Sequence, residues 1–106
     1  MTKVVVDAGI CGFTTTIEVV RLSSRGVGIR VDSECEMVSK IGVQLREVDW
    51  RDVLGQRETL WSTNPRQCPT HVACPVPMAI LKATEVEVGA ALPRDVVIRF
   101  ESTNQR

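Results

Sequence analysis

Neither sign of charge is in excess in this chain: Lys plus Arg and Asp plus Glu both total 13 over 106 residues, a formal net charge of zero. That balance removes electrostatic steering towards nucleic acid or anionic membranes. Long apolar runs are missing too; none approaches the roughly 20 residues that cross a bilayer. The opening Met1-Thr2-Lys3-Val4-Val5-Val6-Asp7 is too short in apolar residues for a secretory signal, because Asp7 interrupts it. With His71 the single histidine, no convincing Ser-His-Asp arrangement can be assembled. Gly9, Gly12, Gly26 and Gly28 fit neither of the standard phosphate-loop fingerprints. Repeats, low-complexity stretches and linkers are absent, which predicts one domain over residues 1–106. Together these absences predict a cytoplasmic protein that is not an enzyme and has no nucleic-acid or membrane partner.

What is present is a globular composition, 43% hydrophobic and 25% charged, on a chain long enough to bury a real core. Disulfides are therefore not required for folding. The four cysteines, Cys11, Cys35, Cys68 and Cys74, point in a reducing compartment to metal or thiol chemistry.

The order of elements places these cysteines. Val4-Val5-Val6 reads as a short strand, followed by a turn through Ala8-Gly9-Ile10-Cys11-Gly12. Thr14 to Leu22 is rich in β-branched residues and sets Thr15, Ile17 and Val19 on one side. Ser23-Ser24-Arg25-Gly26 is a turn, and Val27, Ile29 and Val31 alternate with Gly28, Arg30 and Asp32, which completes a hairpin. Ser33-Glu34-Cys35-Glu36 fits a capping box, and Val38, Ile41, Leu45 and Val48 recur at helical spacing behind it. Asp49-Trp50-Arg51-Asp52 starts a further short helix, with Val53 and Leu54 turned inwards. Gly55 to Gln67 reads as a loop with Asn64-Pro65 as its turn and Trp61 as an anchor. Cys74-Pro75-Val76-Pro77 opens the second main helix, whose buried face is Ile80, Leu81, Thr84 and Val88 and whose stop is Gly89 or Pro93. Val96, Ile98 and Phe100 alternate in a final strand. The sum is an α+β domain of order β-β-β-α-α-β: a small antiparallel sheet with two main helices on one face.

Two of the cysteines flank the hairpin. Cys11 precedes its first strand and Cys35 follows its second, so antiparallel pairing brings both to one end of the sheet. Cys35 and Cys74 also stand at helix starts, where about half a positive charge and unpaired N–H groups favour a thiolate over a thiol. If both helices start at that same end, Cys11, Cys35 and Cys74 cluster. Cys68-Pro69-Thr70-His71-Val72-Ala73-Cys74 adds a fourth thiol and His71, which is enough for tetrahedral zinc or an iron–sulfur cluster.

These residues resemble the iron–sulfur cluster assembly scaffolds of the NifU N-terminal (IscU) type. That family has a Cys-Gly ahead of a hairpin, a cysteine at the next helix start and a third at a late helix start; Cys11-Gly12, Cys35 and Cys74 match them in order, between Gly9 and about Leu92. The resemblance implies an IscU-like fold, cluster chemistry at those cysteines and a protein partner in sulfur or cluster transfer. Phe13 stands where the family has an assisting aspartate, and Ala73 where it has a histidine; Cys68 or His71 is then the candidate for the missing ligand.

Cys74-Pro75-Val76-Pro77, followed by Ile80-Leu81-Lys82-Ala83, is also similar to the helix opening of the TusA-type sulfur carriers. That similarity implies a persulfide on Cys74. A third reading leaves the cysteines as small buried hydrophobes of a structural or interaction domain.

Overall fold

The computed structural model describes residues 1–9, 12–44, 46–55 and 73–102, with the side chains of residues 41, 43 and 44 left aside. Side-chain alternation builds the sheet. In β2 (Thr14–Arg21) Thr15, Ile17 and Val19 are buried, and in β3 (Gly26–Ser33) Val27 and Ile29 are buried. Their register, Ile17 opposite Val31 and Val19 opposite Ile29, puts these residues on one face. β1 (Thr2–Asp7) pairs antiparallel with β2 and adds Val4 and Val6 to that face. The other face leaves Val5 and Val20 exposed.

Both hairpin turns are held by short side chains. Asp7 Oδ1 accepts from the Gly9 amide at 3.1 Å and so stabilises the first turn. Gly9 (φ 78°) and Gly12 (φ 75°) hold left-handed backbone in the same loop, which glycine adopts without strain. In the β2–β3 turn the Gly26 amide donates to Ser23 Oγ at 2.8 Å.

The expected helix after Ser33 is shorter than its apolar stripe suggested. Ser33 ends β3, and α1 runs Glu36–Gln44, so Glu36 is the first helical residue and no capping box forms. Val38 is buried as expected; Leu45 and the side chain of Ile41 lie outside the described residues. Val48 belongs to a short strand, β4 (Glu47–Asp49), where it lies opposite Val27 at the sheet edge. The reason is Asp49. It caps α2 (Trp50–Leu54) with extended backbone, φ −75° and ψ 122°, and its carboxylate accepts from the Arg51 amide at 2.8 Å, so the preceding residues cannot stay helical. Trp50 Nε1 donates to the Ser24 carbonyl at 3.0 Å and ties α2 to the β2–β3 turn, with Val53 buried beneath. The four strands form one antiparallel meander, β1-β2-β3-β4.

α3 (Val76–Glu87) carries Pro77 in its first turn and ends where Gly89 takes a φ of 81°. It packs on β1 and β2 through Val76, Ile80, Ala83 and Thr84, with Leu81 and Val88 half-buried at the flank of the core. The loop predicted over Gly55 to Gln67, with Trp61, lies outside the described residues beyond Gly55.

Glu87 anchors the end of α3. Thr2 Oγ1 donates to its carboxylate at 2.7 Å and the Arg21 amide donates at 2.9 Å, with the side chain 11% exposed. The Thr2 hydrogen bond holds the Glu87 carboxyl below its ordinary 4.5, against the opposing pull of burial and with help from the Arg21 amide. A depressed folded pKa contributes stability that is present in full above pH 4.5 and is lost as pH falls through the folded value. Glu87→Gln should therefore cost about 1 kcal/mol at neutral pH and flatten the loss of stability below pH 4.5. Thermal midpoints recorded across that range check it; parallel profiles for both proteins would refute it.

The final strand does not form. Residues 92–102 lie in neither strand nor helix, and Val96, Ile98 and Phe100 are exposed. Alternation shows that a segment suits a sheet edge, and no edge of this sheet takes it up.

Candidate functional site

One end of the sheet, where β1 finishes, β2 begins and β3 finishes, carries Cys35. Register fixes this end: Asp7 lies opposite Thr14 and Thr15 opposite Ser33. Cys35 follows directly. Its carbonyl accepts from the Ser39 amide at 3.0 Å, the first turn-closing bond of α1, so Cys35 occupies the helix cap.

A small hydroxyl network holds Cys35 there. Ser33 Oγ accepts from the Cys35 amide at 3.1 Å and from Thr15 Oγ1 at 2.9 Å, while Ser39 Oγ donates to the Ser33 carbonyl at 3.1 Å. Ser33 thus restrains the chain between β3 and α1 instead of capping the helix three residues on. Thr15 and Ser39 carry no sequence signal for this task, because their partners come from another strand and from a turn six residues back.

The direction of α3 governs where Cys74 stands. Glu87 fixes the C-terminus of α3 beside Thr2 and Arg21, where β1 starts and β2 stops. Twelve helical residues span about 18 Å, so α3, packed on β1 and β2, carries Cys74 away from that end. Pro75 is its cap and accepts from the Ala79 amide at 3.0 Å; Cys74 stands one residue before it. Both Cys35 and Cys74 are half-buried against the same apolar core.

Cys11, Cys68 and His71 lie outside the described residues. The residues on either side of Cys11 do not: Asp7, Gly9, Gly12 and Thr14 form the β1–β2 connection at this same end. Among the described residues no three His, Cys, Asp or Glu side chains come together as a metal site. The two described thiols supply half of the four donors that tetrahedral zinc uses, so a complete site needs donors from Cys11, Cys68 or His71. No helix among the described residues is long and apolar enough to cross a membrane.

Residues 2–100 match the sequence profile of a family of unknown function, DUF6951. The chain belongs to that family. Its DUF6951 region contains all four cysteines and His71, and it continues past α3 to Phe100. No curated protein and no solved structure matches the chain.

Proposed function

We propose that this DUF6951 protein binds a soft metal, as zinc or as an iron–sulfur cluster, at the sheet end where Cys35 stands. Cys11, Cys35 and Cys74 are the core ligands in this reading. Cys68 is the fourth, with His71 as its competitor. What supports this reading is the Glu87 anchor of α3, which runs the helix, and Cys74 before it, away from the end where β1 starts. Two half-buried thiols just ahead of helices are soft donors of the kind that zinc and iron–sulfur clusters take.

The order of cysteines along the fold also supports cluster chemistry of the IscU type. One lies between β1 and β2, one caps the helix after β3 and one precedes the last helix. Transfer of sulfur or of a cluster to a protein partner is the extension of that reading.

Metal content of anaerobically purified wild type, Cys35→Ser and Cys74→Ser tests the ligand assignment. The expected result is bound metal in wild type and loss of at least about tenfold in affinity in each variant. Equal metal content in all three would contradict it. Rapid alkylation of Cys74 alone, in a protein without metal, would assign the persulfide-carrier role instead.

A further inference from the structure

The segment after α3 leaves the domain with its apolar residues uncovered: Ile98 is 82% exposed and Phe100 97%. Val96 and Val97 are exposed beside them, and no strand of the sheet pairs with them among the described residues. Five residues of this kind, Asp95-Val96-Val97-Ile98-Arg99, have the composition of a strand. They lie within the DUF6951 match and so belong to the domain.

The same sheet has an open edge of matching length. β1 pairs with β2 on one side, and its other side is unpaired among the described residues, with Val5 63% exposed. Such an edge is a template for another strand. Its sequence, Lys3-Val4-Val5-Val6-Asp7, is the charge complement of the tail. Side by side and parallel, Lys3 meets Asp95, Val4 meets Val96, Val5 meets Val97, Val6 meets Ile98 and Asp7 meets Arg99. Run antiparallel about the same central pair, Lys3 would face Arg99 and Asp7 would face Asp95, which is repulsive. At the other edge β4 is three residues long and reads Glu47-Val48-Asp49, too short and too acidic for the same match.

We propose that residues 95–99 form a fifth strand on the β1 edge of a second copy of this chain, giving a reciprocal dimer in which each copy lends its tail. Val96 and Ile98 then lie on the helix-covered face beside Val4 and Val6 of the partner copy, and Val97 shields Val5 on the open face. The tail stands free of its own domain and carries the complement of that domain's own edge, so one sequence supplies both halves of the contact.

Two charge-reversed full-length chains separate exchange between copies from pairing within one chain. The first carries Lys3→Asp and the second Asp95→Lys, so that each variant alone keeps a like-charge pair in either strand direction. Light scattering after gel filtration should show wild type as a dimer and each variant alone weakened by roughly tenfold or more, because like charges face each other. Mixing the two variants should restore a dimer, since every reversed edge then meets a reversed tail. Ile98→Pro, which removes a ladder N–H at an exposed position, should give a folded monomer. A monomeric wild type at every concentration overturns the proposal. So does a wild-type dimer that neither charge reversal nor Ile98→Pro disturbs, or a pair of monomeric variants that stay monomeric when mixed.

Discussion

Cutting Ile80 back to alanine should lower the free energy of unfolding by about 2–5 kcal/mol. Ile80 is completely buried in α3, within a core whose described members also include Ile17, Val19 and Val27. Removing its outer carbons leaves a cavity beneath the helix that positions Cys74, and neighbours fixed in strands β1 and β2 cannot collapse to fill it. A loss of that size is a large part of the roughly 5–15 kcal/mol that keeps a domain folded. The control is Met78→Ala on the same helix. Met78 is exposed, so its replacement should change stability by less than about 0.5 kcal/mol. Urea titrations of both variants check the pair. Similar midpoints for the two would mean that α3 does not sit on the sheet through Ile80.

Removing bound metal should lower the thermal midpoint strongly and reversibly. A ligand that binds only the folded chain stabilises it by about 4 kcal/mol at a thousand times its Kd. For a domain of this size that is a rise on the order of 15–30 °C. The ligands proposed here come from separate elements: Cys11 from the β1–β2 connection, Cys35 from the start of α1 and Cys74 from the start of α3. A bound ion would therefore tie these separate segments together. Chelator treatment should produce the fall and added zinc should reverse it, while the Cys35→Ser, Cys74→Ser double variant should show neither response. Identical midpoints before and after chelation would count against a metal shared by those elements. The apolar core remains without the metal, so the chelated protein should still unfold cooperatively.

The hairpin is the most legible part of this chain because both of its strands declare themselves by alternation. Ile17 and Val19 opposite Val31 and Ile29 needed no tertiary information beyond the hairpin turn. Two helix starts were legible as well, through Pro75 and Pro77 at the start of α3 and Asp49 before α2. Val48 misled, since a valine at helical spacing also fits a strand, and the Asp49 cap decided between them. Ser33 misled for a related reason: its hydroxyl was equally able to cap a helix or to hold the turn ahead of it. Phe100, Ile98 and Val96 announce a strand, but a sequence does not say in which copy of the chain its partner lies. For the candidate site, hairpin geometry was enough to bring Cys35 to the β1–β2 connection. The direction in which α3 carries Cys74 depends on the Glu87 contact with Thr2 and Arg21, which spans most of the chain and leaves no local trace.

The visible absorption spectrum of freshly and anaerobically purified protein, combined with metal analysis of the same sample, tests whether the cysteines hold a metal. The expected result is stoichiometric metal: a brown protein if an iron–sulfur cluster is bound, a colourless one if zinc is bound. A colourless protein without stoichiometric metal, with all four thiols freely reactive, would contradict it.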